Sequence, residues 1–388
     1  IENIAVQGGG IGNINNSLPT VTQCTFSDNF ASSNGGGVFN LSTSSAIIRQ
    51  CIFTGNLSNY GAGISNGTGS ASIIEFCNFS NNTANIDGGG IYNSSSIPTI
   101  TNCQFLGNTA SEGGGGICNS FASSPTITNC IFSGNAAAQY GGGIYNNSLT
   151  PSVPVVFNCS FSGNKAVQFG GGIYNSITPG TNNAAPIIKN SILWGNTAAA
   201  GNAIFPITGL PDISNNIIEG GYASGTNVFD LDPLFVSPQP AAAAPTTLGD
   251  YRLQACSPAL NLGDNSFIPP GITKDLDSLD RIKFTTVDMG AYEKQDIDLA
   301  NSSWKGVNTN WNDKINWCGG YIPYDTTNVV IPSSLSIYPV INTGYNNGVK
   351  NILLSSGTSV SLQNNGSLSI YGTYTNNGST INNKGKWV

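Results

Sequence analysis

The sequence predicts an all-β protein: a right-handed parallel β-helix (β-solenoid) with about 26–29 residues per coil, followed by a smaller C-terminal β module. Three observations predict it. A glycine phrase closed by asparagine recurs at Asn13, Asn40, Asn66, Asn93, Asn119, Asn146 and Asn175, in steps of 27, 26, 27, 26, 27 and 29 residues. Phe26, Phe53, Phe79, Phe105, Phe132 and Phe161 each stand three residues before Asn29, Asn56, Asn82, Asn108, Asn135 and Asn164. Cys24, Cys51, Cys77, Cys103, Cys130 and Cys159 stand two residues before those phenylalanines. A fixed period of this kind marks stacked units, none of which buries its apolar face alone.

The units are too rich in Gly, Asn, Ser and Thr, with short β-branched runs, to supply helices of ten or more residues. They read as strands and turns. In PTITNCQF, 98–105, Ile100 is expected inside. Asn102, a residue type that tolerates left-handed backbone, makes the corner. Cys103 and Phe105 then point inward from the next strand. Three short strands and their bends are expected per coil, with coils stacked at about 4.8 Å. Equivalent residues then lie above one another, giving phenylalanine, isoleucine and cysteine ladders inside and hydrogen-bonded asparagine ladders at the corners. The glycines of GGGIYN serve where the chain turns sharply or packs closely. A looser seventh copy, LWGN at 193–196, has Ser191 in the cysteine position.

The six column cysteines have two readings. They are small buried apolar residues, or adjacent turns are bridged, since stacked Cα atoms fall within the bridgeable range of about 4.4–6.8 Å. No CxxC spacing suggests a metal. Cys118 replaces the tyrosine of the glycine phrase and is expected to face outward or sideways. Cys256 and Cys318 are isolated in sequence.

Composition bounds the chemistry. There is no histidine, so histidine triads and histidine-containing zinc sites are excluded. Thirteen basic and 20 acidic residues give a net charge of −7, which offers no basic stripe for nucleic acid. No apolar run approaches the roughly 20 residues of a membrane-spanning helix. Only eight charges fall in the first 200 residues, and the acids Asp28, Glu75, Asp87 and Glu112 occupy unequal repeat positions. A carboxylate-based polysaccharide lyase or hydrolase needs clustered acids on one face of neighbouring coils. The chain therefore reads as a non-enzyme with no catalytic residues and no cofactor; the alternative is a polysaccharide-binding or polysaccharide-degrading, lyase- or hydrolase-like β-helix protein.

The recurrent FSDN, FTGN, FSNN, FLGN and FSGN, alternating with GGGI, GGGV and GAGI, resemble the repeats of chlamydial polymorphic outer-membrane proteins and related bacterial surface β-helices over roughly 8–206. That family usually has GGA where this chain mostly has GGG. The resemblance implies a passenger-type surface structure used in adhesion, with no active site to carry over. It also places the chain outside the cell or on the bacterial cell surface, together with its polar, low-lysine composition.

The repeats span 1–228, a closing or capping segment 229–298, and a β-rich module 299–388. The closing segment opens with prolines and an alanine run that end regular stacking. DYRLQACSPALNLGD and DLDSLDRIKFTTVDMGAYE resemble the closing part of secreted bacterial β-helix proteins that carry a C-terminal anchor. Asp275, Asp277, Asp280, Arg281 and Asp288 form the dense charge cluster, read as loop hydrogen bonds and ion pairs capping the last coil. The alternative is a calcium site built from Asp275, Asp277 and Asp280. The module beyond resembles all-β modules of bacterial proteins with a C-terminal sorting signal. Its Trp304, Trp311 and Trp317 either fill a small core or stack on carbohydrate. Turns are expected at 364–366, 376–378 and 383–385. DSL at 277–279 and DTT at 325–327 resemble a bacterial O-glycosylation signal, with Ser278 and Thr326 as the modified residues.

A start without methionine or signal peptide reads as a processed chain or part of a longer one. Two roles follow: a fibre or filament subunit that adds copies of itself head-to-tail or laterally, and an adhesin presenting loops such as 175–186 to a cell-surface or polysaccharide ligand.

Overall fold

The computed structural model describes residues 2–148, 152–177, 186–205, 211–363, 366–383 and 385–387. It divides into two compact units: Ile1–Arg252 with Asp264–Ile282 and Met289–Glu293, and Leu253–Gly263 with Lys283–Asp288 and Lys294–Val388. The closing segment contributes to both.

The first unit is a parallel β-helix. One coil runs through Thr83–Asp87, Ile91–Ser94, Thr99–Thr101 and Gln104–Leu106, and each strand pairs in parallel with its equivalents one coil before and after. The coil thus has four short strands where three were expected. The reason is the corner residue: Asn102 at φ 52° bends the chain between Thr101 and Cys103 without a loop, so two strands flank a single left-handed residue. Gln23, Gln50, Phe76, Asn129, Asn158 and Asn190 hold the same conformation in other coils. The two columns of strands so formed both end on the long strand Asp212–Ile218.

Inside, Ile100, Cys103 and Phe105 are fully buried, as expected. The phenylalanine rings from Phe26 to Phe161 stack at 4.5–4.8 Å with interplanar angles of 1–4°. Such spacing follows from the strand separation of about 4.8 Å, and each buried ring contributes about 2–3 kcal/mol of transfer free energy. Close approach of the glycine corner makes this packing possible. A Cβ on Gly90 would lie 2.6 Å from the carbonyl oxygen of Gly116 and 2.9 Å from Phe105 Cδ1.

The first-unit part of the closing segment lies along the flank of the rod, engaging several coils rather than the last alone. Thr246 N–H donates to the Gly134 carbonyl, Asn129 Nδ2 to the Lys274 carbonyl, and Ala291 N–H to Ser160 Oγ. Asn190 exchanges two hydrogen bonds with the Asp264 backbone. The left-handed corner places these asparagine amides outward, where they hold the segment.

The second unit is also built of parallel strands. Asn301–Ser303, Asn328–Ile331, Asn351–Leu354 and Tyr374–Asn376 form one sheet, with two three-stranded parallel sheets beside it. Its asparagine ladder runs Asn351 to Asn328 to Asn301, with spacings of 23 and 27 residues. At the turn 376–378, Asn376 Oδ1 accepts from the N–H groups of Gly378 and Ser379, and Gly378 has φ 95°. Parts of the turns 364–366 and 383–385, and residues 178–185 of the loop 175–186, lie outside the described residues.

Candidate functional site

The interior ladders bear the recurrent residues, and they are closed to solvent. Asn29, Asn56, Asn82, Asn108, Asn135 and Asn164 are all buried. Each donates its backbone N–H and Nδ2 to the amide oxygen of the next, ending on Asn196. From Asn56 onward, Nδ2 also reaches the phenylalanine carbonyl of the coil before, Asn108 to Phe79 for example. A second ladder links Asn13, Asn40, Asn66, Asn93, Asn119, Asn146 and Asn175. These amides satisfy buried backbone groups and face no ligand.

The column cysteines carry free thiols, and five are buried; Cys24 is exposed. It lies in the first described coil. The hydrogen bond to the Cys103 thiol pushes the Cys77 thiol up, and burial pushes up those of Cys103 and Cys130, so thiolate chemistry is suppressed at these three. Cys118 lies off the core as expected, yet it is fully covered, between Tyr92 and Tyr145. In the second unit Cys256 and Cys318 form a disulfide.

The calcium reading of Asp275, Asp277 and Asp280 is corrected. Asp275 is fully buried, its Oδ1 accepting from the N–H groups of Asp277 and Leu279 and its Oδ2 from that of Glu293. Asp277 takes a two-pronged hydrogen bond from Arg252 at 2.6 and 2.7 Å, and Asp280 pairs with Lys274 at 2.7 Å. The oxygens that a cation needs are turned to separate protein donors, and no three metal-ligating side chains converge among the described residues. Arg281 is buried and lies 3.7 Å from the buried Glu293 carboxylate. Asp288, in the second unit, accepts from the N–H groups of Asn261 and Lys294.

Sugar stacking on Trp304, Trp311 and Trp317 is likewise corrected. All three are at most 1% exposed, and they pack edge-to-face at 4.8–5.0 Å in the core of the second unit. No ring face is open to a ligand. Ser278 lies exposed in a bend and Thr326 exposed in a turn.

The structure assembles one face that the motif reading passed over. Two columns of side chains meet outside the core, across the glycine corner. One runs Gln7, Asn34, Tyr60, Asp87, Gly113, Tyr140 and Phe169. The other runs Phe39, Ser65, Tyr92, Cys118, Tyr145, Tyr174 and Phe205. Tyr60 and Tyr92 pack at 4.9 Å with a 45° tilt, and Tyr140, Tyr145, Phe169 and Tyr174 continue the aromatic surface. A cleft of about 240 Å3 opens on it, lined by Gln7, Asn34, Phe39, Tyr60, Ser65 and Tyr92 among others. The sequence held a signal for this face: the tyrosine of GGGIYN recurs, and an aromatic residue precedes the glycines at Tyr60, Tyr140 and Phe169.

The same face brings two of the scattered acids near one another. Burial pushes the Asp87 carboxyl up to about 6, with the nearby Glu112 adding to the shift and a hydrogen bond from Gly113 N–H opposing it. Burial pushes the Tyr92 hydroxyl up to about 12. Glu75 is instead paired with Arg49 at 2.6 Å, and Asp28 is exposed.

The architecture has a counterpart in sequence. Residues 9–192 match the family described as the right handed beta helix region. The match covers the glycine phrases from Gly9 to Asn175, and with the observed strand pairing it gives the fold as a right-handed parallel β-helix. No curated protein matches the chain. Among solved structures, a mutant of the PL6 family alginate lyase AlyGC is similar at 10% identity and a TM-score of 0.19, covering 98% of this chain and 69% of that one. A likeness that weak supports no reading of activity. Among the described residues, no helix is long and apolar enough to cross a membrane.

Proposed function

We propose that the chain is a non-catalytic, rigid β-helical rod of an extracellular or cell-surface protein, working as a fibre subunit or an adhesin. The observation that supports it is the uniformity of the layers. Ring follows ring at 4.5–4.8 Å and amide follows amide without a break, so each added coil supplies length and stiffness. Stiffness arises because each amide from Asn29 to Asn164 is bonded to the next coil, and no coil can tilt without unpairing it.

The experiment is a cleavage assay on a panel of polysaccharides that includes alginate and polygalacturonate, reading reducing ends and absorbance from unsaturated products. No release is expected. Release above that of a heat-unfolded control would overturn the reading. Ser278 and Thr326 are proposed as O-glycosylated in the native material, and the proteolytic peptides that carry them would then exceed their sequence masses by the mass of the attached sugars.

A further inference from the structure

We propose that the groove along the left-handed corners of the rod, where it passes Phe76 and Ile52, docks a short uncharged peptide segment of a partner protein through one aliphatic side chain. This goes beyond the rod reading, and it stands equally for a fibre subunit and an adhesin.

Over part of its length this groove already holds a peptide, the chain's own closing segment. The corner residues form one column, Gln23, Gln50, Phe76, Asn102, Asn129, Asn158 and Asn190, each at φ 52–54°. Asp264 of the closing segment pairs with Asn190, the Lys274 carbonyl accepts from Asn129 Nδ2, and Leu276 comes to lie beside Asn102. The four corners from Asn102 to Asn190 are all buried. At Leu276 the segment turns back, with Lys274 and Asp280 in an antiparallel bridge. The column goes on past it: Phe76 is 41% exposed, and Gln50 and Gln23 are exposed as well. Where the segment turns away, a cavity of about 210 Å3 opens between Phe76, Ile52 and Leu276, with the buried Cys51 and Cys77 beneath and the amides of Gln50 and Gln104 at the rim. Ile52 is 45% exposed, so both the ring and the aliphatic wall are open to an incoming side chain.

Phe76 is the residue out of place. Every other corner of the column carries an amide side chain, and the corners that the closing segment covers all carry asparagine, which tolerates left-handed backbone. A bulky aromatic residue at φ 54° is strained there. A strained ring left in the open adds nothing to the coil that asparagine would not, which points to a use for its outward face. The lining then selects the occupant. An aliphatic side chain seated between Phe76, Ile52 and Leu276 removes apolar surface from water on both partners. Gln50 Oε1 accepts from Gln23 Nε2 at 3.3 Å, which leaves Gln50 Nε2 for a peptide carbonyl, the bond that Asn129 makes with Lys274 two corners beyond Phe76. No charged residue lines the cavity, so an ionised side chain entering it would lose its hydration uncompensated.

The test is selection of a random dodecapeptide library displayed on phage against the full chain, followed by fluorescence anisotropy of the enriched peptides with the chain and its variants. The enriched peptides are expected to share an aliphatic residue flanked by uncharged ones. Phe76→Asn and Ile52→Ser are each expected to weaken their binding about tenfold, the worth of one apolar contact. Ile97→Ser, at an exposed position that does not line the cavity, is expected to leave it unchanged. The urea midpoint of Phe76→Asn is expected to be no lower than that of the natural chain, since asparagine suits the corner. Failure to enrich any peptide would overturn the proposal, as would enriched peptides that bind Phe76→Asn and Ile52→Ser as tightly as the natural chain. A lowered midpoint for Phe76→Asn would make the ring a structural residue and overturn it too. Self-association of the chain alone in sedimentation, abolished by Phe76→Asn, would give the groove to a second copy in place of a partner. Neither result bears on the cleavage assay, so the rod reading and the peptide groove fail separately.

Discussion

Asp87 lies buried on the aromatic face, its Oδ1 holding the Gly113 N–H at 2.9 Å, with no basic side chain among the groups that shift it. Its carboxyl is raised from 3.8 to about 6, so the folded chain binds this proton more tightly than the unfolded one. The stabilisation is therefore complete below about pH 4 and is lost as pH rises through about 6. It amounts to on the order of 3 kcal/mol at 1.36 kcal/mol per unit. Denaturant unfolding at pH 4 and pH 6.5 should show that difference for the natural chain relative to Asp87→Asn, which keeps the shape and cannot ionise. Asp275, also raised by burial, acts in the same direction in both proteins and cancels in the comparison. Equal pH dependence of the two chains would refute the assignment. The sequence revealed Asp87 only as one of four scattered acids, because a carboxylate's register tells nothing about what covers it. For the same reason a reading of Trp304, Trp311 and Trp317 from spacing left core and sugar platform open, and only their burial decides it.

At the scale of the coil, the ladders make each layer depend on its neighbours. Asn108→Ala removes the acceptor for the backbone N–H and Nδ2 of Asn82 and the donor to Phe79 O, leaving buried groups unpaired. A loss of about 3 kcal/mol is expected in denaturant unfolding. Phe105→Ala should cost about 4 kcal/mol through the cavity left in the ring stack, and Phe105→Leu under about 1.5 kcal/mol. A cost below about 1 kcal/mol for Phe105→Ala would show that the stack is not a packed core. Ile100, Asn102, Cys103 and Phe105 were legible in the sequence because each recurs in a fixed place, and recurrence at one period implies one environment. Strand count was less legible. The corner at Asn102 was expected, but composition did not mark which of the short runs around it and around the glycine phrase pair as separate strands. In the second unit the coil spacing falls from 27 to 23 residues and NNG recurs at unequal steps, at 346–348, 364–366 and 376–378, so parallel stacking there left no fixed sequence period to detect.

At the scale of the whole molecule, the two units carry different devices. The rod uses ladders and free thiols, whereas the second unit closes a 62-residue separation with the Cys256–Cys318 disulfide. Reduction should lower the stability of the second unit by about 2–4 kcal/mol. The change is read by tryptophan fluorescence, since Trp304, Trp311 and Trp317 form its core. An unchanged transition after full reduction would contradict the expected stabilisation. The closing segment was legible as a break in the repeat, but not as a strap along the flank. Its anchors are single backbone groups such as those of Lys274 and Thr246, which carry no side-chain signature.

The measurement that tests the central claim most directly is electron microscopy of the native material, imaged in native salt before detergent or denaturant. Straight elongated rods of uniform width are predicted: continuous fibres if the chain is an assembling subunit, single rods attached to cells if it is an adhesin. Compact or flexible particles with no straight rod segment would contradict the account.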